Sequence, residues 1–153
     1  MSELRVLVVD DQPDVVESLA SIVKQWGHKA AVAYSGEQAI AVAEEFDPHV
    51  VLLDIMMPNM DGYAVAQQLR MTRHRNETTI IGVTALQADE HKYKSYDSGF
   101  DLYLVKPVNP EKLKKILEGF KRTLEVEEDA KSANSGISAL VRKASRVKSE
   151  KTT

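Results

Sequence analysis

Val50-Val51-Leu52-Leu53-Asp54-Ile55-Met56-Met57-Pro58-Asn59-Met60-Asp61-Gly62 is the stretch that decides the fold. Four apolar residues in succession, without polar alternation, read as a strand buried on both faces, the kind found in a parallel sheet covered by helices. The chain then delivers a carboxylate, Asp54, where that strand stops. In an open α/β sheet, ligands bind in the crevice outside the carboxyl ends of the strands. A second acidic strand end, Val6-Leu7-Val8-Val9-Asp10-Asp11, repeats the device near the N-terminus. Two such ends set side by side make a carboxylate cluster, and a carboxylate cluster calls for a cation.

Outward from this strand, strand and helix signals alternate five times. Leu4–Asp10 is the expected first strand. Helix one opens with Pro13 in its first turn, gathers Val15, Val16, Leu19, Ile22, Val23 and Trp26 on one face, and stops at Gly27. Lys29–Ala33 is less apolar and is expected at the sheet edge. Ser35 and Gln38 have capping-box spacing, and Asp47-Pro48 ends the helix they open. Helix three is expected from about Gly62 to Met71, strand four over Ile80–Thr84, a polar helix over Ala88–Ser98 and strand five over Leu102–Val105. A last helix starts with Asn109 as cap and Pro110 at its first position, carrying Leu113, Ile116, Leu117, Phe120 and Leu124 as one stripe. Five βα units with right-handed crossovers imply an α/β fold with a doubly wound parallel sheet.

Composition sets the bounds. At 153 residues the chain is one domain with an appendage, and the absence of cysteine removes disulfide and thiolate chemistry and favours a reducing compartment. No signal peptide and no run of the ~18 apolar residues of a membrane span is seen, so the expected location is cytoplasmic. Residues 1–130 carry 14 Lys+Arg against 22 Asp+Glu, whereas residues 131–153 carry 6 against 1. The expected division is therefore an acidic domain over 1–124 and a basic tail over 125–153. Within the tail, Ala130–Ser138 reads as a linker. From its end onward, Ile137, Leu140, Val141, Ala144 and Val147 fall on one helical face, with Arg142, Lys143 and Arg146 on the other. Such a tail is expected to be a disordered solubilising extension or, next, a short basic amphipathic helix that docks on the domain's own acidic surface. A helix of this kind can also dock on an anionic membrane, nucleic acid or an acidic protein face.

Every strand but the second ends in something reactive: Asp10 and Asp11, Asp54, Thr84, and Lys106 just past strand five. In a parallel sheet these ends share one edge, so three carboxylates, a hydroxyl and an ammonium are expected to converge. Met56, Met57 and Met60 read as apolar filler rather than soft-metal ligands. His28, His49, His74 and His91 lack ligand spacing and are expected at the surface or its boundary. Tyr93 and Tyr96 are expected to turn their rings to the sheet.

These residues together resemble the receiver domain of response regulators in two-component signalling, in a layout similar to that of single-domain chemotaxis regulators. The resemblance covers residues 4 to about 122. Asp10-Asp11 match the acidic pair, and Asp54 matches the phosphoacceptor with its Met57-Pro58-x-Met60-Asp61-Gly62 continuation. Thr84, Tyr103 and Lys106-Pro107 lie 30, 49 and 52 residues beyond Asp54. Ser98-Gly99-Phe100-Asp101 resembles the turn before strand five, with Phe100 an unusually large occupant.

The resemblance implies a flavodoxin-like sheet of order 2-1-3-4-5. It implies that Asp54 takes a phosphoryl group from the phosphohistidine of a histidine kinase or phosphotransfer protein. It also implies Mg²⁺ held by Asp10, Asp11, Asp54 and the backbone carbonyl of Met56, with Asp10 acting through water. Lys106 adds positive charge, Thr84 donates to a phosphoryl oxygen, and Tyr103 responds by turning inward. That response would couple the site to the face made by helix four, strand five and helix five, where an unidentified downstream protein binds. A unit ion pair at ~4 Å is worth about 4 kcal/mol at an effective dielectric of 20, and a charged hydrogen bond about 1.5–3 kcal/mol. Together these approach the ~5.5 kcal/mol that inverts a 1:99 population. No turnover on an external substrate is expected, only the domain's own phosphorylation and dephosphorylation.

Rival readings fit less well. Haloacid-dehalogenase-type enzymes resemble Asp-x-Asp, and the second position here is Met56, which has no proton to give. A flavin carrier of similar fold needs a hydroxyl- and glycine-rich loop after strand one, where this chain has Asp10-Asp11-Gln12-Pro13. The 29 residues after Leu124 are too few for a helix-turn-helix module with its own core, so nucleic acid is not an expected partner. The open alternative is a phosphorelay intermediate or phosphate sink without a target of its own. Met56 and Leu86, two residues beyond Asp54 and Thr84, are apolar and cannot orient an attacking water, so slow self-dephosphorylation is expected.

Overall fold

The computed structural model describes residues 3–72, 78–85 and 99–152, with side chains in the last helix up to Lys131 and at Ala133. The expected helix over Ala88–Ser98, together with His74, Leu86, His91, Tyr93 and Tyr96, lies outside the described residues. Chain order is β1 (Arg5–Val9), α1 (Pro13–Gln25), β2 (Lys29–Ala33), α2 (Gly36–Phe46), β3 (Val50–Asp54), α3 (Gly62–Arg70), β4 (Thr79–Thr84), β5 (Leu102–Val105) and α4 (Pro110–Thr152). The strands form one sheet in the order β2-β1-β3-β4-β5, with every neighbouring pair parallel. This is the doubly wound, flavodoxin-like arrangement, and Lys29–Ala33 is an edge strand as its composition predicts.

β3 is buried along its whole length because it lies between β1 and β4 with helices over both faces. On one face Leu7, Val9, Val51, Leu53 and Ile80 pack with Ala39 and Ala43 of α2 and Val65, Ala66 and Leu69 of α3. The alternate residues Val6, Val8, Val50, Leu52 and Ile81 point the other way and are equally buried, as are Val16 and Val23 of α1 and Leu113 and Leu117 of α4. Truncating one such leucine to alanine costs about 2–5 kcal/mol.

Helix ends follow the local chemistry. Ser35 accepts from the Gln38 N–H at 3.1 Å, and the Gln38 side chain accepts from the Tyr34 N–H at 2.8 Å, one residue before the cap that a standard capping box would reach. Asp61 caps α3 through the Ala64 N–H at 3.0 Å. Asn109 accepts from the Glu111 and Lys112 N–H groups, placing Pro110 at the first position of α4.

Two expectations are corrected. The segment 130–138 is helix rather than linker, and α4 continues unbroken for 43 residues. Its alanines are the best helix formers, and Lys131 has favourable i, i+4 spacing from Glu127, which offsets part of the cost of its serines, Asn134 and Gly136, the last about 1 kcal/mol. By compactness the chain falls into two units, Glu3–Leu117 and a second that contains Glu118–Thr153. His28 is buried rather than at the surface. The positive φ of Gly27 turns the chain back, and the His28 N–H donates to the Val23 carbonyl at 3.3 Å.

Candidate functional site

The carboxyl ends of β1, β3, β4 and β5 bring the sequence-predicted residues to one edge. β1 hands directly to Asp10, whose N–H donates to the Ala33 carbonyl at 3.3 Å, and β3 ends on Asp54. Each is only 3% exposed, whereas Asp11 is exposed. Carboxylate oxygens of Asp10, Asp11 and Asp54 all lie within 4.8 Å of one another. Lys106 comes from just past β5, anchored by its own N–H to the Thr84 carbonyl at 2.7 Å. Its Nζ lies 2.9 Å from Asp10 Oδ2 and 3.4 Å from Asp54 Oδ2, and the peptide bond to Pro107 is cis.

The loop after Asp54 is tight. The Met56 N–H donates to Asp54 Oδ1 at 3.2 Å, and the Gly62 N–H returns to the Ile55 carbonyl at 2.9 Å. A Cβ at Gly62 would stand 2.7 Å from both the Asp54 carbonyl oxygen and Ile55 Cα, so only glycine lets α3 begin this close. The Met56 side chain is 62% exposed beside the cluster, while Met57 is buried filler.

Among the described residues, one ammonium among three carboxylates leaves the site short of positive charge. Burial, with the neighbouring Asp10 carboxylate, pushes Asp54 up to about 6 against the opposing pull of Lys106. Burial alone would lower Lys106, but its contacts with Asp10 and Asp54 more than offset this and hold it above the usual lysine range. Closely spaced hard oxygens whose ionised form carries such a cost suit a hard divalent cation.

Thr84 is buried at the end of β4, beside the strand that carries Asp54. Tyr103 pairs in register with Gly82 and already rests against the core, its ring 5.2 Å from that of Phe100. Phe100 in turn meets Tyr63 edge-on at 5.5 Å. A Cβ at Gly82 would stand 2.9 Å from Tyr103 Cδ1 and 3.0 Å from Phe100 Cδ1, so the missing side chain at Gly82 is the space that the large Phe100 uses. Burial and the facing Tyr103 hydroxyl push the Tyr63 phenol up to about 12. Sequence analysis missed Gly82 and Tyr63 as neighbours of Tyr103. A glycine inside an otherwise apolar strand was the available signal, since it marks a close approach.

Residues 6–118 match the model of the response regulator receiver domain, and the chain belongs to that family. It is 35% identical over 113 residues to the transcriptional regulatory protein TcrA of Mycobacterium tuberculosis, covering 74% of this chain and 44% of that protein. It is 32% identical over 138 residues to the probable transcriptional regulator ycf27 of Porphyridium aerugineum, covering 90% of this chain and 56% of that one. The chain thus spans about half the length of the curated relatives it matches. Among solved structures, the chemotaxis protein CheY4 of Vibrio cholerae superposes with a TM-score of 0.72 at 30% identity, covering 76% of this chain and 98% of that one. Among the described residues no helix is long and apolar enough to cross a membrane.

Proposed function

We propose that Asp54 is the acceptor of a phosphoryl group from a partner's phosphohistidine, donated by a histidine kinase or a phosphotransfer protein, in a Mg²⁺-dependent step. The observation that carries this reading is the cluster itself: three carboxylates with mutually close oxygens and, among the described residues, one ammonium touching two of them. Asp10, Asp11 and Asp54, with the Met56 carbonyl, would hold the ion. When bound, Mg²⁺ neutralises charge so that an anionic nucleophile and an anionic phosphoryl group can meet.

The chain's own residues do the rest. An Asp54 carboxylate oxygen attacks phosphorus, the bond to the histidine nitrogen breaks, and an acyl phosphate forms while the imidazole leaves with the partner. Lys106, held by Asp10 and Asp54, lies where it pairs with the incoming phosphoryl charge. Thr84 donates its hydroxyl to a phosphoryl oxygen, and the resulting movement is passed to Tyr103 and the surface around β5 and α4. The apolar Met56 side chain orients no water, which favours a long-lived phosphorylated state. A Met56→Asn, Leu86→Glu double variant is expected to shorten that lifetime.

This is a cytoplasmic switch with no external turnover substrate, and its output is a protein target that reads the β5 surface. A phosphorelay or sink role is the alternative. The names of the curated relatives favour a further reading, in which a longer protein containing this domain acts on DNA. Incubation with acetyl phosphate and Mg²⁺ followed by intact-mass measurement should show a single phosphoryl adduct that is absent from Asp54→Asn. No adduct from this reagent or from any histidine kinase would overturn the proposal.

A further inference from the structure

Beyond the receiver, α4 continues to Thr152, and the described side chains in this stretch offer an apolar surface to water: Val126 is 66% exposed, and Ala130 and Ala133 are exposed with it. Thr123, Val126, Ala130, Ala133, Ile137, Leu140, Ala144 and Val147 follow one another in alternating steps of three and four residues without a break. That spacing has the 3.5-residue period of a coiled-coil seam, and Gly136 and Asn134 fall outside it. A helix with such a seam gains most of its stability by covering it.

Two independent features identify the occupant. The first is charge. Glu125, Glu127, Glu128 and Asp129 precede the midpoint of the seam, and Arg142, Lys143, Arg146 and Lys148 follow it. Parallel, in-register copies would set acid against acid and base against base, whereas antiparallel copies set each acidic half against a basic half. The second is volume. Antiparallel pairing centred between Ala133 and Ile137 makes layers of Ala133 with Ile137, Ala130 with Leu140, Val126 with Ala144, and Thr123 with Val147. Each layer then holds one smaller and one larger residue, while parallel pairing would stack alanine on alanine and leave thin layers.

We propose that residues 123–147 form a self-recognition helix that pairs antiparallel with the same segment of a second copy of this chain. The pairing does not rest on the phosphoryl chemistry, so either can fail without the other.

The full chain is the material for the test, and its lack of cysteine makes crosslinking clean. Sedimentation should show the 17.0 kDa chain passing to twice that mass with rising concentration. Leu140→Asp should return it to the monomer while leaving acetyl-phosphate labelling intact. Glu127→Lys with Asp129→Lys should weaken association about tenfold or more, and adding Arg142→Glu with Lys143→Glu should restore it. On oxidation, an Ala130→Cys copy should crosslink to a Leu140→Cys copy and not to another Ala130→Cys copy. A monomer at every concentration, including one whose basic half binds anionic vesicles or duplex DNA instead, would overturn the proposal. So would Ala130→Cys crosslinking to itself as readily as to Leu140→Cys.

Discussion

The two ends of one sheet treat charge in opposite ways. At the amino ends of the strands, two arginines are matched by carbonyls and carboxylates. The Arg5 guanidinium donates to the Asp47 carbonyl at 2.7 Å and pairs with its carboxylate at 3.5 Å, while the Arg5 N–H donates to His49 Nδ1 at 2.9 Å. Arg70 leaves α3 to reach the Gly99 carbonyl at 2.7 Å and the Thr78 carbonyl at 2.6 Å, and pairs with Asp101. Asp101 also accepts from the Ile80 N–H at 2.8 Å, so one side chain joins the starts of β4 and β5. At the carboxyl ends, three carboxylates face one ammonium among the described residues. The first end ties strand starts and loops together, while the second concentrates a strongly perturbed carboxyl, a pattern common at functional sites.

This contrast can be broken from either side. The largest effect is expected at the amino end, where Arg70→Ala removes a cation serving two carbonyls and a carboxylate. Urea unfolding should show a loss of about 3–4 kcal/mol, with labelling at Asp54 retained in the folded fraction. Lys106→Met removes the only ammonium among the described residues of the site and leaves two buried carboxylates facing each other. Part of the lysine is in water, so the expected loss is nearer 2 kcal/mol at pH 7.5, with a much slower gain of acyl phosphate.

Asp54→Asn should do the reverse and stabilise the protein. The folded-state pKa of about 6 lies above the 3.8 of an ordinary aspartate, so the wild type loses stability as pH rises through about 6 and regains it below about 4. The variant should therefore be more stable by about 1–2 kcal/mol at pH 7.5, with the gain gone at pH 4, as followed by thermal melts across pH. The smallest effect is expected for Asp47→Asn. Its pairing with Arg5 is half exposed, and asparagine tolerates the positive φ of 51° there, so the change should stay within about 0.5 kcal/mol.

Much of this was legible in the chain. β2, β3 and β5 occupy the residues that apolar runs and turn residues predict, because a strand buried on two faces has few alternatives. The convergence of Asp10, Asp11, Asp54, Thr84 and Lys106 followed from parallel topology alone, since each stands at a strand's carboxyl end. The Arg70 clamp was not legible: nothing local distinguishes an arginine that crosses to another loop from one in solvent. Gly82, Phe100 and Tyr63 become partners of Tyr103 only once β4–β5 register is known. The burial of His28 depends on the left-handed turn at Gly27. Residues 130–138 were misassigned because small polar composition is shared by linkers and exposed helices.

The central claim is that the carboxyl end of the sheet is short of positive charge and built to accept a cation. Following the Asp54 side-chain carboxyl carbon by NMR across pH, with and without Mg²⁺, tests it most directly. The account expects a midpoint near 6 without the ion and a clear fall when Mg²⁺ is added. A midpoint at the ordinary aspartate value, unmoved by Mg²⁺, would contradict it.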